Sequence, residues 1–297
     1  MERTFTHAAV GRPPTELAGR ALGALTAIYA AARLLHLVQD RIPLIVLIAL
    51  SILVPLAFAL IHGTLCYGLR GMLTFVALCL AIGNIVENVG IRTGMPFGRY
   101  FFTDVMGPKI LQVPILLGLA YVGMGYLSWF LGCQIVGPRR SLLAAPLLAA
   151  LIMISWDVAL DPVWSTIHRG WIWLDGGAYF GVPLINFAGW YCTVGLIYLS
   201  FAVISRRWPA EAAPLPPAWR KMPVALYAVA AGGNLLLWFP LSGWSSVADP
   251  AGRQWHVGSI FAACALVSIV VMGGFALLAW AKIGDRTPNP SRAQAEA

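Results

Sequence analysis

The chain has 297 residues, of which 59% are hydrophobic and only 11% are charged, and its mean hydropathy is +0.77. A soluble domain needs about a quarter charged residues to wet its surface, so this composition excludes a soluble globular enzyme, a disordered tail and a secreted disulfide scaffold. The formal net charge of +8 comes from 20 Lys and Arg against 12 Asp and Glu; the basic residues are scattered over short loops, which points to membrane topology and away from nucleic acid.

Taken in chain order, residues 1–16 read as a polar N-terminal tail. They hold Glu2, Arg3, Arg12 and Pro13-Pro14 and lack the short apolar core and cleavage site of a secretory signal. A helix needs about 20 mainly apolar residues to cross the hydrocarbon core. Eight stretches meet that need: 17–38, 42–62, 69–88, 111–132, 141–160, 184–204, 223–241 and 257–282. The first is rich in Ala and Gly and carries Arg33 and His36. The runs are long, continuous and not alternating, so they predict helices and not the strands of a barrel. The expected fold is an all-α polytopic bundle of about eight transmembrane helices.

Eight spans put both termini on one side of the membrane. Thirteen Lys and Arg fall on that side and seven on the other, so the positive-inside bias places both termini in the cytoplasm of a multi-pass cell-membrane protein. The non-cytoplasmic loops are rich in Gly, Pro and aromatic residues. Residues 206–222 are Pro-rich and basic and read as a cytoplasmic linker. That linker would divide a six-helix body at 17–205 from a C-terminal helical pair at 223–283, followed by a polar tail at 284–297.

The five cysteines (Cys66, Cys79, Cys133, Cys192, Cys264) stand singly in apolar stretches, with no CxxC and no zinc-like spacing. There is no P-loop, no GxGxxG opening a helix after a strand, and no HExxH. Nothing in the sequence calls for a nucleotide, a flavin or a metal. Arg33 and His36, one helical turn apart, read as a helix-end contact. His62 reads as structural, and His168 and His256 as solvated loop residues.

Most acidic residues sit in tails or loop tips. Glu87, Asp157 and Asp161 do not: Glu87 ends the third expected span, and Asp157 and Asp161 end the fifth, four residues apart on one helix face. Both spans run outward from the cytoplasm, so the three carboxyls reach the same leaflet. A carboxyl at membrane depth is costly and usually faces a cavity or a partner. The plainer alternative pairs Glu87 with Arg92 or Arg99 and lets Asp161 end a helix before Pro162. The flanking loops are Gly-, Pro- and aromatic-rich, a composition suited to short structure lining a cavity. Most Trp fit an aromatic belt at headgroup depth, whereas Trp156, Trp171 and Trp173 are candidates for a binding wall.

The stretch Glu87-Asn-Val-Gly-Ile-Arg-Thr-Gly-Met-Pro-Phe-Gly-Arg-Tyr100, with Thr103-Asp104 and Gly107-Pro-Lys109, resembles the membrane-embedded carotenoid 1,2-hydratases of the CruF type. So do Trp156-Asp157 through Asp161-Pro162, and Gly177-Ala-Tyr179 through Asn186-Phe-Ala-Gly-Trp190. The resemblance covers roughly residues 20–283, and its specific part is 84–190. It implies addition of water to the terminal double bond of an acyclic carotenoid such as γ-carotene, lycopene or bisanhydrobacterioruberin, in carotenoid biosynthesis. It also implies the lipid bilayer and other carotenoid-biosynthesis enzymes as partners. No catalytic residue carries over from it.

The chemistry fits the residues. Hydrating an isolated alkene needs an acid to protonate one carbon, a water to capture the tertiary carbocation, and a base to take the surplus proton, but no cofactor. Asp157 or Glu87 is expected as donor, with Asp161 orienting the water or accepting its proton. Asn84, Asn88 and Asn186 are candidates to position water. Arg92, Arg99 and Tyr100 would hold the loop or tune the acids, and Asp104 is a further substrate-binding candidate. Trp156, Trp171, Trp173 and Tyr179 would form the binding wall, their faces stabilising the cation. The rival reading is a proton-coupled transporter, since intramembrane acids near Gly/Pro-broken helices suit that class too, although no inverted repeat is visible. A third reading is a non-catalytic assembly subunit.

Overall fold

The computed structural model describes residues 15–137, 141–207, 215–236 and 245–284. Helix α1 (Glu16–Leu34) starts where Thr15 accepts a hydrogen bond from the Ala18 amide at 3.2 Å, and Glu16 in its first turn complements the helix dipole. A 3₁₀ turn, Leu35–Arg41, leads into α2 (Leu44–Thr93).

A straight helix of 50 residues would run about 75 Å, more than twice the hydrocarbon core of about 30 Å. Helix α2 is not straight. Gly68 adopts φ 67° and ψ 170°, a left-handed conformation that breaks the helical path. The two arms, 44–67 and 69–93, then fold back on each other. A Cβ on Gly63 would overlap the Met72 thioether, and the rings of Tyr67 and Phe75 both lie against Tyr126, at 6.5 and 6.1 Å. The second arm ends at Gly94, whose φ of 79° lets its amide return to the Gly90 carbonyl at 2.7 Å.

Helix α3 (Ile115–Val136) is apolar around its whole circumference and sits at the centre, against both arms of α2 and against α4 (Ala144–Pro162), α6 (Pro217–Leu236) and α8 (Gly273–Gly284). Glycines permit its close approaches. A Cβ on Gly123 would stand 2.9 Å from the Leu56 amide nitrogen, beside Pro55, and one on Gly132 would stand 2.9–3.0 Å from Ala149. Helix α5 (Leu184–Ser205) packs on α4 and α2, and α7 (Val257–Val267) runs into α8 through a π turn, Ser268–Met272. His62, fully buried, ties the bundle together. Its Nε2 faces the Trp219 carbonyl at 3.0 Å and must donate, which leaves Nδ1 to accept from the Tyr126 hydroxyl at 2.6 Å.

Among the described residues six helices are long and apolar enough to cross a membrane, where eight spans were expected. The expected spans 42–62 and 69–88 are the two arms of α2, counted as one. The span expected at 223–241 falls on α6, which carries Arg220 and Lys221 near its start and is not among the six; residues 237–241 lie outside the described ones. Helix α6 begins at Pro217, inside the stretch expected to be a linker, because Pro suits the first helical position. It packs on α1, and the C-terminal helices α7 and α8 pack on α4 and α3. Residues 208–214 of the expected linker, and residues 1–14 and 285–297 of the two tails, are outside the described residues.

The loops at one end contain short strands where only irregular or interfacial structure was expected. β1 (Tyr100–Phe102) pairs antiparallel with β4 (Trp171–Trp173), β2 (Lys109–Ile110) with β3 (Val113–Pro114), and β5 (Ser246–Ala248) with β6 (Gln254–His256). Buried Asp249 closes the last hairpin. It accepts from the Arg253 amide, Arg253 Nε and Trp255 Nε1, each at 3.0 Å. Burial would raise its pKa, but these donors and the Arg253 charge outweigh it and hold Asp249 below the usual carboxylate range.

Candidate active site

Just below the β1–β4 ribbon the helices enclose a cavity of about 1080 Å³, its open mouth included. Glu87 from the second arm of α2, Asp157 and Asp161 from α4, and Asn186 from the first turn of α5 all line it. The convergence expected from spacing and topology is therefore present as a shared surface. Most of the rest of the wall is hydrocarbon and aromatic, including Ile48, Leu117, Met153, Trp156, Trp164 and Trp190, with Arg33, Ser51 and Asn234 as its other polar members.

The three carboxyls are held differently. Glu87 is 2% exposed and receives two tyrosine hydroxyls, Tyr121 on Oε1 at 2.7 Å and Tyr100 on Oε2. Asp161, also 2% exposed, is held by three N–H donors: Trp171 Nε1 at 2.9 Å and Trp173 Nε1 at 3.3 Å on Oδ1, and Asn186 Nδ2 at 2.7 Å on Oδ2. Asp157 is half-buried, with one long contact, Asn186 Nδ2 at 3.4 Å. Asp157 is the least buried of the three carboxyls that line the cavity. Asn186 has Nδ2 between the two aspartates, while its buried Oδ1 has no protein partner among the described residues.

Local sequence explains the positioning. Pro162 follows Asp161 and interrupts regular α-helical bonding; the chain continues as a π turn, Val163–Ile167, with the His168 amide reaching the Val163 carbonyl at 2.9 Å. That turn delivers β4 to β1 with Tyr100 opposite Trp173 and Phe102 opposite Trp171. The two-residue period of a strand puts these four rings on one face, and all four line the cavity, while Phe101 points outward at 44% exposure. The ribbon is an aromatic cover. Burial first, and then the neighbouring Glu87 carboxyl, push the Tyr100 hydroxyl well above its usual pKa, so it remains a donor.

Several residues expected at the site are elsewhere. Asn84 and Asn88 bond to each other, Asn88 Nδ2 reaching the Asn84 carbonyl at 2.8 Å; Asn88 is buried with its Oδ1 accepting from the Gln112 amide at 3.3 Å, and neither lines the cavity. Their polar groups are taken up by each other and, for Asn88, by the Gln112 amide. Arg92 is exposed. Arg99 is exposed too and makes a two-pronged pair with Asp175, so neither arginine is the partner of Glu87. Asp104 is exposed and paired with Lys109 at 3.0 Å. Tyr179 packs beneath the loop, donates to the Val158 carbonyl at 3.2 Å and does not reach the cavity wall. The structure brings together Glu87, Asp157, Asp161, Tyr100, Trp156, Trp171, Trp173 and Asn186.

Sequence reasoning missed Tyr121, Trp164, Trp190, Tyr29, Arg33 and Asn234, all on the cavity wall. Tyr121 lies in an unbroken apolar run, with no local signal of its bond to Glu87. Arg33, expected as a helix-end contact, is 6% exposed and lines the cavity. No group of His, Cys, Asp and Glu among the described residues has the geometry to hold a metal ion.

Residues 43–258 match the family described as carotenoid biosynthesis protein. A relative, the bisanhydrobacterioruberin hydratase of Haloarcula japonica, is 31% identical over 134 residues, which are 44% of this chain and 45% of the relative. The alignment thus spans under half the length of that relative. No solved structure matches the chain.

Proposed function

The chain belongs to the carotenoid biosynthesis protein family, and from that membership and the chemistry of the cavity we propose that it is a carotenoid hydratase of the cell membrane, acting on the terminal 1,2 double bond of an acyclic end group. The observation that carries the proposal is the lining of one apolar, aromatic cavity by three carboxyls, an arrangement suited to protonating an alkene in a medium that otherwise dissolves hydrocarbon.

In this reading the polyene lies among the helices with its end group under the β1–β4 cover. Asp157, the least buried of the three carboxyls, gives its proton to C2. The double bond's electron pair forms the new C–H bond, and the positive charge settles on C1, which bears two methyl groups. The faces of Trp156, Trp171 and Trp173 lie along the same wall and favour that charge. Water adds its oxygen to C1, and its surplus proton passes to the Asp157–Asp161 pair, restoring the donor. The unpartnered Oδ1 of Asn186 suits the holding of that water. Glu87, with both oxygens engaged by tyrosines, fixes the wall and adds negative charge that stabilises the cation. The positive-inside bias supports cytoplasmic termini with the site towards the opposite leaflet.

The test is pigment analysis in a host that accumulates lycopene or γ-carotene, with and without this gene. A more polar carotenoid, heavier by one water, is expected only with the gene. Its absence with both substrates, in cells where the protein is membrane-inserted, would overturn the proposal and favour transport.

A further inference from the structure

The cavity has a second polar wall that the hydration chemistry does not use. Arg33 of α1 and Asn234 of α6 line it, and among the described residues Arg33 forms no ion pair with any of the three carboxyls. A guanidinium that is 6% exposed and unneutralised is costly, yet this one is carefully braced. Its Nη2 donates to Asn234 Oδ1 at 2.6 Å, and Asn234 Nδ2 donates to Ser268 Oγ at 2.8 Å. Its Nη1 donates to His36 Nε2 at 3.1 Å. Gly233 makes room for it, since a Cβ there would overlap the Arg33 side chain. Ser268 opens the second π turn of the bundle, Asp161 stands two residues before the first, and π turns recur at functional sites.

These contacts engage two of the five N–H groups of Arg33. A ligand that met the others would need an acceptor. An anion is a poor fit, because three carboxyls share the cavity. A bare hydrocarbon offers no acceptor. A fixed positive charge also disfavours a carbocation beside it, so the reacting double bond belongs by the carboxyls and another atom belongs by Arg33.

We infer that Arg33, braced by Asn234 and Ser268, is a hydrogen-bonding site for a neutral oxygen, hydroxyl or carbonyl, on the end group of the bound polyene. The inference rests on the reading that the cavity takes a carotenoid end. The oxygen has two sources: the hydroxyl that hydration installs, or one already on the substrate.

Binding read without turnover tests this. Quenching of tryptophan fluorescence by the polyene reports occupancy, because Trp156 and Trp164 line the cavity. The full chain in lipid nanodiscs is titrated with three acyclic polyenes: one hydrocarbon-ended, one bearing the hydroxyl that hydration would install, and one bearing a hydroxyl elsewhere on the end group. The wild type is expected to prefer one hydroxylated ligand by about tenfold to a hundredfold, and which one identifies the source. Arg33→Met is expected to erase the preference, and Arg33→Lys to retain part of it. Equal binding of all three by the wild type overturns the inference and leaves the carotenoid reading intact. A preference that survives in Arg33→Met also overturns it. Quenching by none of the three overturns both. The wild-type comparison decides the matter even where a variant fails to accumulate.

Discussion

Asn186 places one amide nitrogen between two carboxyls, 2.7 Å from Asp161 and 3.4 Å from Asp157. It reaches them from the first turn of the next helix, so the junction between the β4 loop and α5 sets the spacing of the acid pair. The inequality of the two contacts separates their roles. Asp161 is anchored by three N–H donors, whereas Asp157 has a single long contact.

That separation predicts unequal stability effects. Asp161→Ala leaves the buried Trp173 Nε1 and the half-buried Trp171 Nε1 without an acceptor, and Asn186 Nδ2 with only its long contact to Asp157. A cost of about 1–3 kcal/mol is expected for each orphaned buried donor. Asp157→Asn removes one long contact and is expected to leave stability nearly unchanged. Thermal melting of the two variants in the same detergent checks this, and equal melting temperatures would refute the assignment.

The central helix depends on missing side chains. Gly123→Ala forces a Cβ to within 2.9 Å of the Leu56 amide nitrogen, which is backbone and cannot move aside cheaply. A loss of about 1–3 kcal/mol is expected. Gly232→Ala, where nothing lies within 4 Å of the new Cβ, is expected to be neutral in the same melting assay.

The Arg99–Asp175 pair gives a pH signature. Hydrogen bonds from Arg99, and then its charge, hold Asp175 below the usual carboxylate range. A depressed folded-state pKa contributes stability that is complete above the unfolded value of about 3.9 and is lost as pH falls through the lower folded value. The melting difference between wild type and Asp175→Asn is therefore expected to be small and constant from about pH 5 to about pH 8, and to shrink only in stronger acid. A difference that changed across the neutral range would contradict the pairing.

Much of the fold was legible because hydrophobic runs of membrane length leave few alternatives. The gap expected between 62 and 69 contains Gly68, where the chain turns back, and the carboxyls were visible because acids are costly in apolar runs. Their partners were not. Tyr121 is 34 positions from Glu87, and Asn234 is 201 positions from Arg33, and a tyrosine or arginine in a helix carries no mark of what it will meet. Asn84 and Asn88 misled for the complementary reason: nearness to Glu87 in sequence says nothing about which side of the helix faces the cavity. The strands were missed because three residues of Tyr-Phe-Phe or Trp-Ile-Trp are too short for a period to be read, and each needs the other to form.

The most direct test compares wild type, Asp157→Asn and Glu87→Gln in carotenoid-accumulating cells, with equal amounts of inserted protein and the hydrated product quantified by chromatography and mass spectrometry. The account predicts product from the wild type and a loss of about 100-fold to 10,000-fold in Asp157→Asn, with Glu87→Gln retaining more activity than Asp157→Asn. Product from Asp157→Asn at the wild-type level would contradict it.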